Sequence, residues 1–279
     1  MDAGVVALVL LSALLHAGWN IVLKVKGDRL LVMTLIANGA SLIALCLLPF
    51  VPVPPAGAWP YFAISLALQT GYHIFLIQAY RYGDLGQVYP IARGAAPVFV
   101  LLPAVLIAGD RLTPLSALAV LVIAVGIASL AFHRGALRAS HLPVPYALGT
   151  AAFIAAYTVV DGLGARATGS PHAYTLWLFV MSGLPLAAMS LLWHGRRTFA
   201  FVRNNWRVGI AGGAMSLGAY WLVVWALSIA PMAQVAALRE SSVVFAALLA
   251  TVFLKEKFGP SRIAAACVVA SGIVMLRGT

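Results

Sequence analysis

Charged side chains are scarce in this sequence, and their scarcity excludes most soluble folds. Only 9% of the 279 residues are charged, whereas 63% are hydrophobic and the mean hydropathy is +0.99. An ordinary soluble domain carries about 25% charged residues. A chain with so little charge and so much apolar surface is predicted to be an integral membrane protein.

The sequence also lacks the groups that catalytic and metal sites most often use. Its two cysteines, Cys46 and Cys267, stand alone in different apolar runs, so they give neither a metal-ligand spacing nor a disulfide framework. There is no HExxH, GxSxG or paired-carboxylate pattern, no ATP-binding motif and no long hydrophilic segment. We therefore expect no cofactor and no enzymatic activity.

Ten apolar runs are long enough to cross a bilayer as helices. A bilayer core about 30 Å thick needs roughly 20 residues at a rise of about 1.5 Å per residue. The first run has no basic residues before it and no cleavage motif after it, so we expect a retained helix rather than a signal peptide. The predicted spans are 4–24, 29–49, 59–81, 87–109, 113–133, 144–163, 171–194, 206–228, 232–254 and 260–277.

The net charge of +11 indicates topology rather than nucleic-acid binding, because the basic residues gather on one side of the predicted spans. Cytoplasmic loops are enriched in Lys and Arg. The distribution predicts a multi-pass protein of the inner (plasma) membrane with both termini outside the cytoplasm. Thirteen basic residues lie on the predicted cytoplasmic side and three on the other: Lys24, Lys26, Arg29, Arg81, Arg134, Arg138, Arg196, Arg197, Arg203, Arg207, Lys255, Lys257 and Arg262, against Arg111, Arg166 and Arg277.

The two halves of the sequence resemble each other. The stretch "QTGYHIFLIQAYRYGDLGQV" (69–88) aligns with "SLGAYWLVVWALSIAPMAQV" (216–235) at an offset of 147, and at an offset of 146 Arg93 falls on Arg239. Residues 1–139 and 140–279 then form two repeats of five spans each. Because five is odd, the second repeat must enter the membrane upside down, and inverted repeats around a midplane site are common in transporters.

Two segments carry a resemblance to a known family. The stretches "LLHAGWNIVLKVKGDR" (14–29) and "YRYGDLGQVYPIARGAAPVFVLLP" (80–103), with the two-fold five-helix plan, resemble the EamA-type branch of the drug/metabolite transporter (DMT) superfamily. The resemblance implies a ten-helix basket whose central cavity is lined mainly by helices 1, 3, 4, 6, 8 and 9. It also implies transport of amino acids, sugars, nucleotide sugars or other small metabolites, with a narrower likeness to YddG-type aromatic amino-acid exporters. Many family members have both termini inside, whereas the charge distribution here predicts them outside.

Polar and aromatic side chains recur at helical spacing on the spans expected to line that cavity. Residues three, four or seven apart share one face of a helix. We interpret these side chains as candidates for substrate binding, although Trp and Tyr also form interfacial belts and a buried His can simply join two helices. The candidates are His16, Trp19, Asn20, Gln69, Tyr72, His73, Tyr80, Tyr89, Arg93, Tyr157, Ser216, Tyr220 and Trp221.

Two arginines interrupt the fourth and ninth spans. An unpaired charge at mid-bilayer costs at least about 2.5–3.5 kcal/mol, so such residues face a partner or a watery cavity unless they extend to the interface. Arg93, with Tyr89 one turn away, is predicted to bind substrate. Arg239, beside Glu240, is predicted to belong to a gate or an ion pair, and Glu240 has either arginine as its possible partner. Asp161 is a further gating or ion-pair candidate, unless it reaches water from near its helix end.

Taken as a set, these features favour a secondary transporter of a small organic solute. An arginine can bind a carboxylate in bidentate fashion while aromatic rings cover an apolar part. We therefore predict an exporter of amino acids, large neutral or aromatic, that works as a monomer by alternating access. The alternatives are an importer or exchanger of another small metabolite or drug, a channel or scaffold and, last, an intramembrane enzyme.

Overall fold

The protein is a bundle of long α-helices. The computed structural model describes residues 1–25, 28–82, 85–132, 142–255 and 259–278, and within these ranges it has no β-strand. Ten helical segments are long and apolar enough to cross a membrane, which confirms the predicted all-α membrane fold. The α-helices are α1 (Ala3–Val25), α2 (Arg29–Leu47), α3 (Trp59–Tyr82), α4 (Leu85–Leu106), α5 (Pro114–Phe132), α6 (Pro143–Thr168), α7 (Pro171–His194), α8 (Arg197–Ile229), α9 (Met232–Glu240), α10 (Ser242–Leu254) and α11 (Pro260–Arg277).

The observed helices follow the predicted spans, with three differences. Helix α8 begins at Arg197, well before the predicted 206, and α6 continues to Thr168 rather than 163. The added stretches are too polar for a membrane span, but their residues tolerate helix, so the helices extend beyond the apolar run. The ninth span is two helices, because at Ser241 both the amide and the hydroxyl hydrogen-bond the Leu238 carbonyl. The predicted division between the two repeats, at 139/140, lies outside the described residues.

Contacts between helix ends define two faces of the bundle. On the first, which we call the basic face, the guanidinium of Arg29 lies over the ring of Tyr80, and Asp28 contacts His194. On the second, which we call the opposite face, Asp110 forms an ion pair with Arg166. The basic face holds the ends of α1, α3 and α7 and the start of α2 and α8, where most described cations lie; Lys26, Arg134, Arg138 and Lys257 lie outside the described residues.

Glycines bring several helix pairs into close contact. A Cβ on Gly39 of α2 would overlap the Gly209 carbonyl of α8, and a Cβ on Gly213 would overlap the backbone of Ala40. In the same way, a Cβ on Gly272 of α11 would lie 2.6 Å from a side-chain carbon of α5. Small residues permit this backbone approach between helices in a membrane, where apolar surface alone gives no preference for protein over lipid.

Helices α3 and α7 are joined mainly at the opposite face. There the rings of Phe62 and Tyr174 stack with centroids 4.6 Å apart, and Trp59 meets Trp177 at 5.5 Å. Helices α2 and α8 pack on each other far more extensively than α3 and α7 do. A smaller pocket between α3 and α7 shares Gln69, His73, Ser182 and Leu186 with the lining of the central cavity.

Candidate functional site: a central cavity with two arginines

A partly open cavity of about 140 Å³ lies at the centre of the bundle. Helices α1, α2, α3, α4, α6, α7, α8 and α9 line it, and it lies towards the basic face, near the end of α1 and the start of α2. Helix α5 contributes no side chain to its wall. The lining residues are His16, Trp19, Met33, Ile36, Ala37, Gln69, Tyr72, His73, Arg93, Tyr157, Phe179, Ser182, Leu186, Ser216, Tyr220 and Arg239.

Most of the candidate residues identified from the sequence meet at this cavity. Nine of the predicted substrate-binding side chains line it, and so does Arg239, which was predicted to form a gate or ion pair. Asn20, Tyr80, Tyr89 and Trp221 do not. Those that do are His16, Trp19, Gln69, Tyr72, His73, Arg93, Tyr157, Ser216 and Tyr220.

Three of the excluded candidates have other partners. The side-chain amide of Asn20 donates to the His16 carbonyl one turn earlier in the same helix, at 2.7 Å, so it is occupied within α1. The Tyr80 ring lies under the Arg29 guanidinium at the basic face. The indole of Trp221 donates to a ring nitrogen of His172 at 2.7 Å. Helical spacing alone could not separate these residues from the cavity wall, because a stripe continues along the whole helix whereas the cavity occupies only part of its length.

Arg93 is held in a buried ion pair. Its Nη1 donates to both carboxylate oxygens of Glu240, at 3.0 and 3.1 Å, and its Nη2 donates to Nε2 of His16. The Tyr89 ring lies 5.3 Å from the guanidinium carbon, which explains why Tyr89 packs beside Arg93 rather than on the cavity wall. Because an arginine can only donate, the His16 ring must accept at Nε2 and carry its proton at Nδ1. Glu240 therefore pairs with Arg93 across the two halves of the chain.

Arg239 is placed differently. It is only 5% exposed, its guanidinium lies 5.3 Å from the centre of the Tyr220 ring, and its side chain lines the cavity. Among the described residues no carboxylate lies within ion-pair distance of it. The sequence left either arginine as the possible partner of Glu240, and in the structure the partner is Arg93. A gating role for Arg239 stays a prediction. Adjacent helical residues point about 100° apart, and Glu240 is turned towards Arg93.

Aromatic rings form the apolar part of the wall. Tyr157 lies between Tyr72 and Tyr220, with centroid distances of 5.9 and 6.5 Å, and Phe179 lies 5.8 Å from Tyr220. The indole nitrogen of Trp19 is buried and has no hydrogen-bond partner within the described part of the chain. The cavity thus combines a guanidinium, aromatic rings in edge-on and tilted contact, and an indole donor without a partner among the described residues.

Asp161 lies behind this wall, on the side of the opposite face. It is fully buried and accepts hydrogen bonds from the Tyr174 hydroxyl at 2.8 Å and from the Tyr220 hydroxyl. The alternative that it reaches water from its helix end is wrong for this structure. Tyr220 therefore has its hydroxyl on Asp161 and its ring against Arg239.

Polar contacts close the bundle at the opposite face. Arg166, near the end of α6, donates to Asp110 at 3.1 Å and to the carbonyls of Ala108 and Ala230 at 3.3 and 3.4 Å. Asp110 also accepts from the amide of Met232 at the start of α9. This network joins the ends of α4, α6 and α8, so both halves of the chain are tied together on the side away from the cavity.

The described histidine and carboxylate side chains in and around the cavity do not pair with one another. Within the described ranges, no two of His16, His73, Asp161 and Glu240 hydrogen-bond each other; His73 instead contacts the Gln69 carbonyl at 2.6 Å. The same ranges hold no group of three His, Cys, Asp or Glu residues positioned for a metal ion.

The lining residues from α2 and α7 were not identified from the sequence. Those of α2 are apolar, so no polar stripe marked them, and the family resemblance assigned the cavity to other helices. Ser182 is the one polar member of this set. The missed residues are Met33, Ile36, Ala37, Phe179, Ser182 and Leu186.

Comparison with known proteins agrees with this architecture. A solved crystal structure shares the fold with a TM-score of 0.74, at 16% sequence identity, over 99% of this chain and 97% of that one. No curated protein sequence matches the chain. The family model of the EamA-like transporters matches residues 141–278, the second five-helix half. The second half of the chain is therefore an EamA-type domain of the drug/metabolite transporter superfamily, within a protein whose described residues form ten candidate membrane spans.

Proposed function

We propose that this EamA-type transporter exports amino acids with large neutral or aromatic side chains by alternating access. Membership of a family of small-molecule membrane transporters supplies the general activity. The cavity supports the choice of substrate, because it places one cation among aromatic rings.

The observation that carries the proposal is the position of Arg239. Its charge is uncompensated within the described residues and faces the cavity, whereas the charge of Arg93 is neutralised by Glu240. A substrate carboxylate can take the place of the missing counter-ion through bidentate hydrogen bonds to the guanidinium. Its apolar side chain can then pack against Tyr72, Tyr157 and Phe179, and its ammonium can lie over an aromatic face.

A closed opposite face supports a carrier rather than a channel. The stacked pair Phe62 and Tyr174 and the ion pair Asp110–Arg166 separate the cavity from that face. A channel needs a polar path through both faces at once, whereas a carrier opens them in turn around a central site. The cavity lies towards the basic face, which the positive-inside rule assigns to the cytoplasm. That arrangement favours loading from the cytoplasm, and so export.

Uptake and efflux in liposomes test the proposal. Purified protein is reconstituted and assayed with labelled phenylalanine, leucine, alanine and lysine, and with phenylpropionate, which has the carboxylate and ring but no ammonium. We expect saturable transport of phenylalanine and leucine, lost in Arg239→Gln. Transport of phenylpropionate alone would replace the amino-acid assignment with a carboxylate one, and transport of neither would remove the assignment.

A reporter experiment tests the orientation independently of any substrate. A fusion after Thr279 should report a position outside the cytoplasm, and one inserted near Ala200 should report a cytoplasmic position. The reverse result would assign the basic face to the outside, and the cavity would then favour import.

A further inference from the structure

Asp161 has an environment that the binding of a solute does not explain. Its carboxyl group is fully buried within a membrane-spanning helix, and among the described residues no Lys, Arg or His lies within ion-pair distance of it. It accepts hydrogen bonds from the hydroxyls of Tyr174 and Tyr220, which are neutral donors. Three other carboxylates among the described residues each lie within ion-pair distance of a basic side chain: Glu240 beside Arg93, Asp110 beside Arg166 and Asp28 beside His194.

Two opposing influences act on the charge of this carboxyl group. Burial away from water and without a counter-ion disfavours the charged carboxylate. Two hydroxyl donors, with the Ser65 hydroxyl beside them, favour the charged form instead. Because these effects oppose each other, a modest change in surroundings can load or release a proton. Ionisable residues in this position within a membrane commonly belong to proton pathways.

The groups around Asp161 come from each helix that packs on it. Tyr174 faces it from α7, Tyr220 from α8 and Ser65 from α3, while Arg239 of α9 acts on it at longer range. The Ser65 hydroxyl also accepts a hydrogen bond from the Gln69 amide at 3.0 Å, and Gln69 lines the cavity. Asp161 is thus connected to the cavity through Tyr220 and through Ser65–Gln69.

We propose that Asp161 is the proton-binding site through which a proton gradient drives solute transport in this protein. The proposal rests on the transport function proposed above. Asp161 lies between the cavity and the opposite face, beneath the stacked rings of Phe62 and Tyr174. For the opposite face to open, α3 and α7 must part there, and Tyr174 must leave the carboxylate. Water then reaches Asp161, and a proton from that water binds one carboxylate oxygen.

Tyr220 connects the proton to the solute. Its hydroxyl donates to Asp161 while its ring carries the Arg239 guanidinium, which binds the substrate carboxylate in the proposed function. A protonated Asp161 no longer attracts the Tyr220 hydroxyl as a carboxylate does, so the ring beneath Arg239 is freed to move. Solute occupancy and proton occupancy therefore act on the same side chain. When the opposite face closes again, the proton leaves to cavity water on the basic face.

Infrared difference spectroscopy tests proton binding without any substrate. Full-length protein in lipid nanodiscs is titrated between about pH 4 and about pH 9, a range that spans the ordinary carboxyl and imidazole values. We expect the band of a buried protonated carboxyl group to appear as the pH falls, and to be absent in Asp161→Asn. Asp110→Asn and the double variant Arg93→Gln/Glu240→Gln are the matched controls, since each removes a buried carboxylate that has a cationic partner, and the band should persist in both.

Tyr174→Phe tests whether loss of the band in Asp161→Asn could result from misfolding. This variant keeps the carboxyl group and removes one donor, so the band should remain while its midpoint pH changes. A band that is unchanged in Asp161→Asn, or that disappears only in Arg93→Gln/Glu240→Gln or Asp110→Asn, would overturn the proposal.

Transport in proteoliposomes supplies the coupling test, with labelled phenylalanine as the probe. A pH gradient should raise accumulation several-fold in the wild type, and in Asp161→Asn accumulation should fall to the level seen without a gradient. Wild-type transport that ignores the gradient would overturn the coupling role. If phenylalanine is not transported at all, the proposed function fails by itself, and the infrared titration still decides whether Asp161 binds a proton.

Discussion

The two arginines of the cavity occupy matching positions in the two halves of the sequence but have different surroundings. Arg93 is bound by Glu240 and His16, whereas Arg239 lies over Tyr220 without a carboxylate partner among the described residues. Both line the cavity, but one cation has a carboxylate counter-ion and the other has none among the described residues. Aligned positions in the two halves therefore have different electrostatic surroundings.

The different surroundings of Arg93 and Arg239 are explained by the residue that follows each arginine. At the offset of 146 that aligns the two arginines, Glu240 corresponds to Gly94. A Cβ on Gly94 would lie 2.9 Å from the Ala124 carbonyl oxygen and 3.0 Å from the Ala128 amide nitrogen of α5, so the first half has no room for an acidic side chain there. The close packing of α4 on α5 thus leaves Arg239 without the partner that Arg93 has.

The largest effect is expected from removing the acid of the pair. Glu240→Gln leaves the charge of Arg93 buried and uncompensated, and breaking one partner of a buried pair typically costs about 3–5 kcal/mol. We expect a marked loss of thermal stability in detergent and a smaller yield of folded protein. The double variant Arg93→Gln/Glu240→Gln removes both charges and should recover much of that stability. Equal stability of Glu240→Gln and wild type would show that the pair has no structural role.

Substitution of Arg239 is expected to weaken substrate binding and to leave stability intact. Arg239→Gln removes an uncompensated charge, so the free energy of unfolding should stay the same or rise. Substrate binding should weaken by about 1.5–3 kcal/mol, the usual value of a hydrogen bond to a charged group, which corresponds to roughly a 10- to 150-fold loss of affinity. The sequence alone had favoured Arg93 as the residue with the larger effect on affinity. Measuring transport affinity and thermal stability of Arg93→Lys and Arg239→Lys side by side decides between the two assignments.

The fold was largely predictable from the sequence, because membrane spans are determined by length and hydrophobicity. Every predicted span corresponds to a helical segment, and the errors lie at ends such as Arg197, where helix continues into polar sequence. The break at Ser241 was not predictable, since it depends on one hydroxyl that competes for a backbone carbonyl. For the site, the sequence predicted which residues take part, since nine candidates line one cavity. It did not predict the partners of Arg93 and Arg239, because these depend on the direction in which each side chain leaves its helix.

A third variant pair isolates the aromatic contact of Arg239. Tyr220→Phe keeps the ring beneath the guanidinium and removes the hydrogen bond to Asp161, whereas Tyr220→Leu removes both. A cation–π contact contributes about 0.5–2 kcal/mol, depending on how far water is excluded. Substrate affinity should therefore fall by up to about thirtyfold more in the Leu variant than in the Phe variant. Equal affinities would mean that the ring does not position Arg239.

The smallest effect on stability is expected at the partly exposed pair of Asp28 and His194 on the basic face. This pair serves as a reference for the buried pair of Arg93 and Glu240. His194 Nε2 lies 2.8 Å from Asp28, and the other carboxylate oxygen caps α2 by accepting from the Leu30 and Leu31 amides. Burial alone would raise the pKa of Asp28, but these hydrogen bonds, from the Leu31 amide and His194 above all, hold that pKa below its ordinary value. A lowered pKa means that the stabilisation is present above the unfolded value of about 3.9 and is lost as the pH falls through the folded one.

Two substitutions separate the parts of this contact. Asp28→Asn retains a good helix cap and loses the ion pair, so it should cost less than about 1 kcal/mol and only at low ionic strength, where an exposed pair is least screened. Asp28→Ala also loses the cap and should cost about 1 kcal/mol more. Thermal unfolding at neutral pH and near pH 3 measures both costs. Near pH 3 the wild type should lose its advantage over Asp28→Asn, because the carboxylate becomes protonated. A cost for Asp28→Asn as large as that for Glu240→Gln would show that burial does not set the strength of ion pairs in this protein, and the distinction drawn between Arg93 and Arg239 would lose its physical basis.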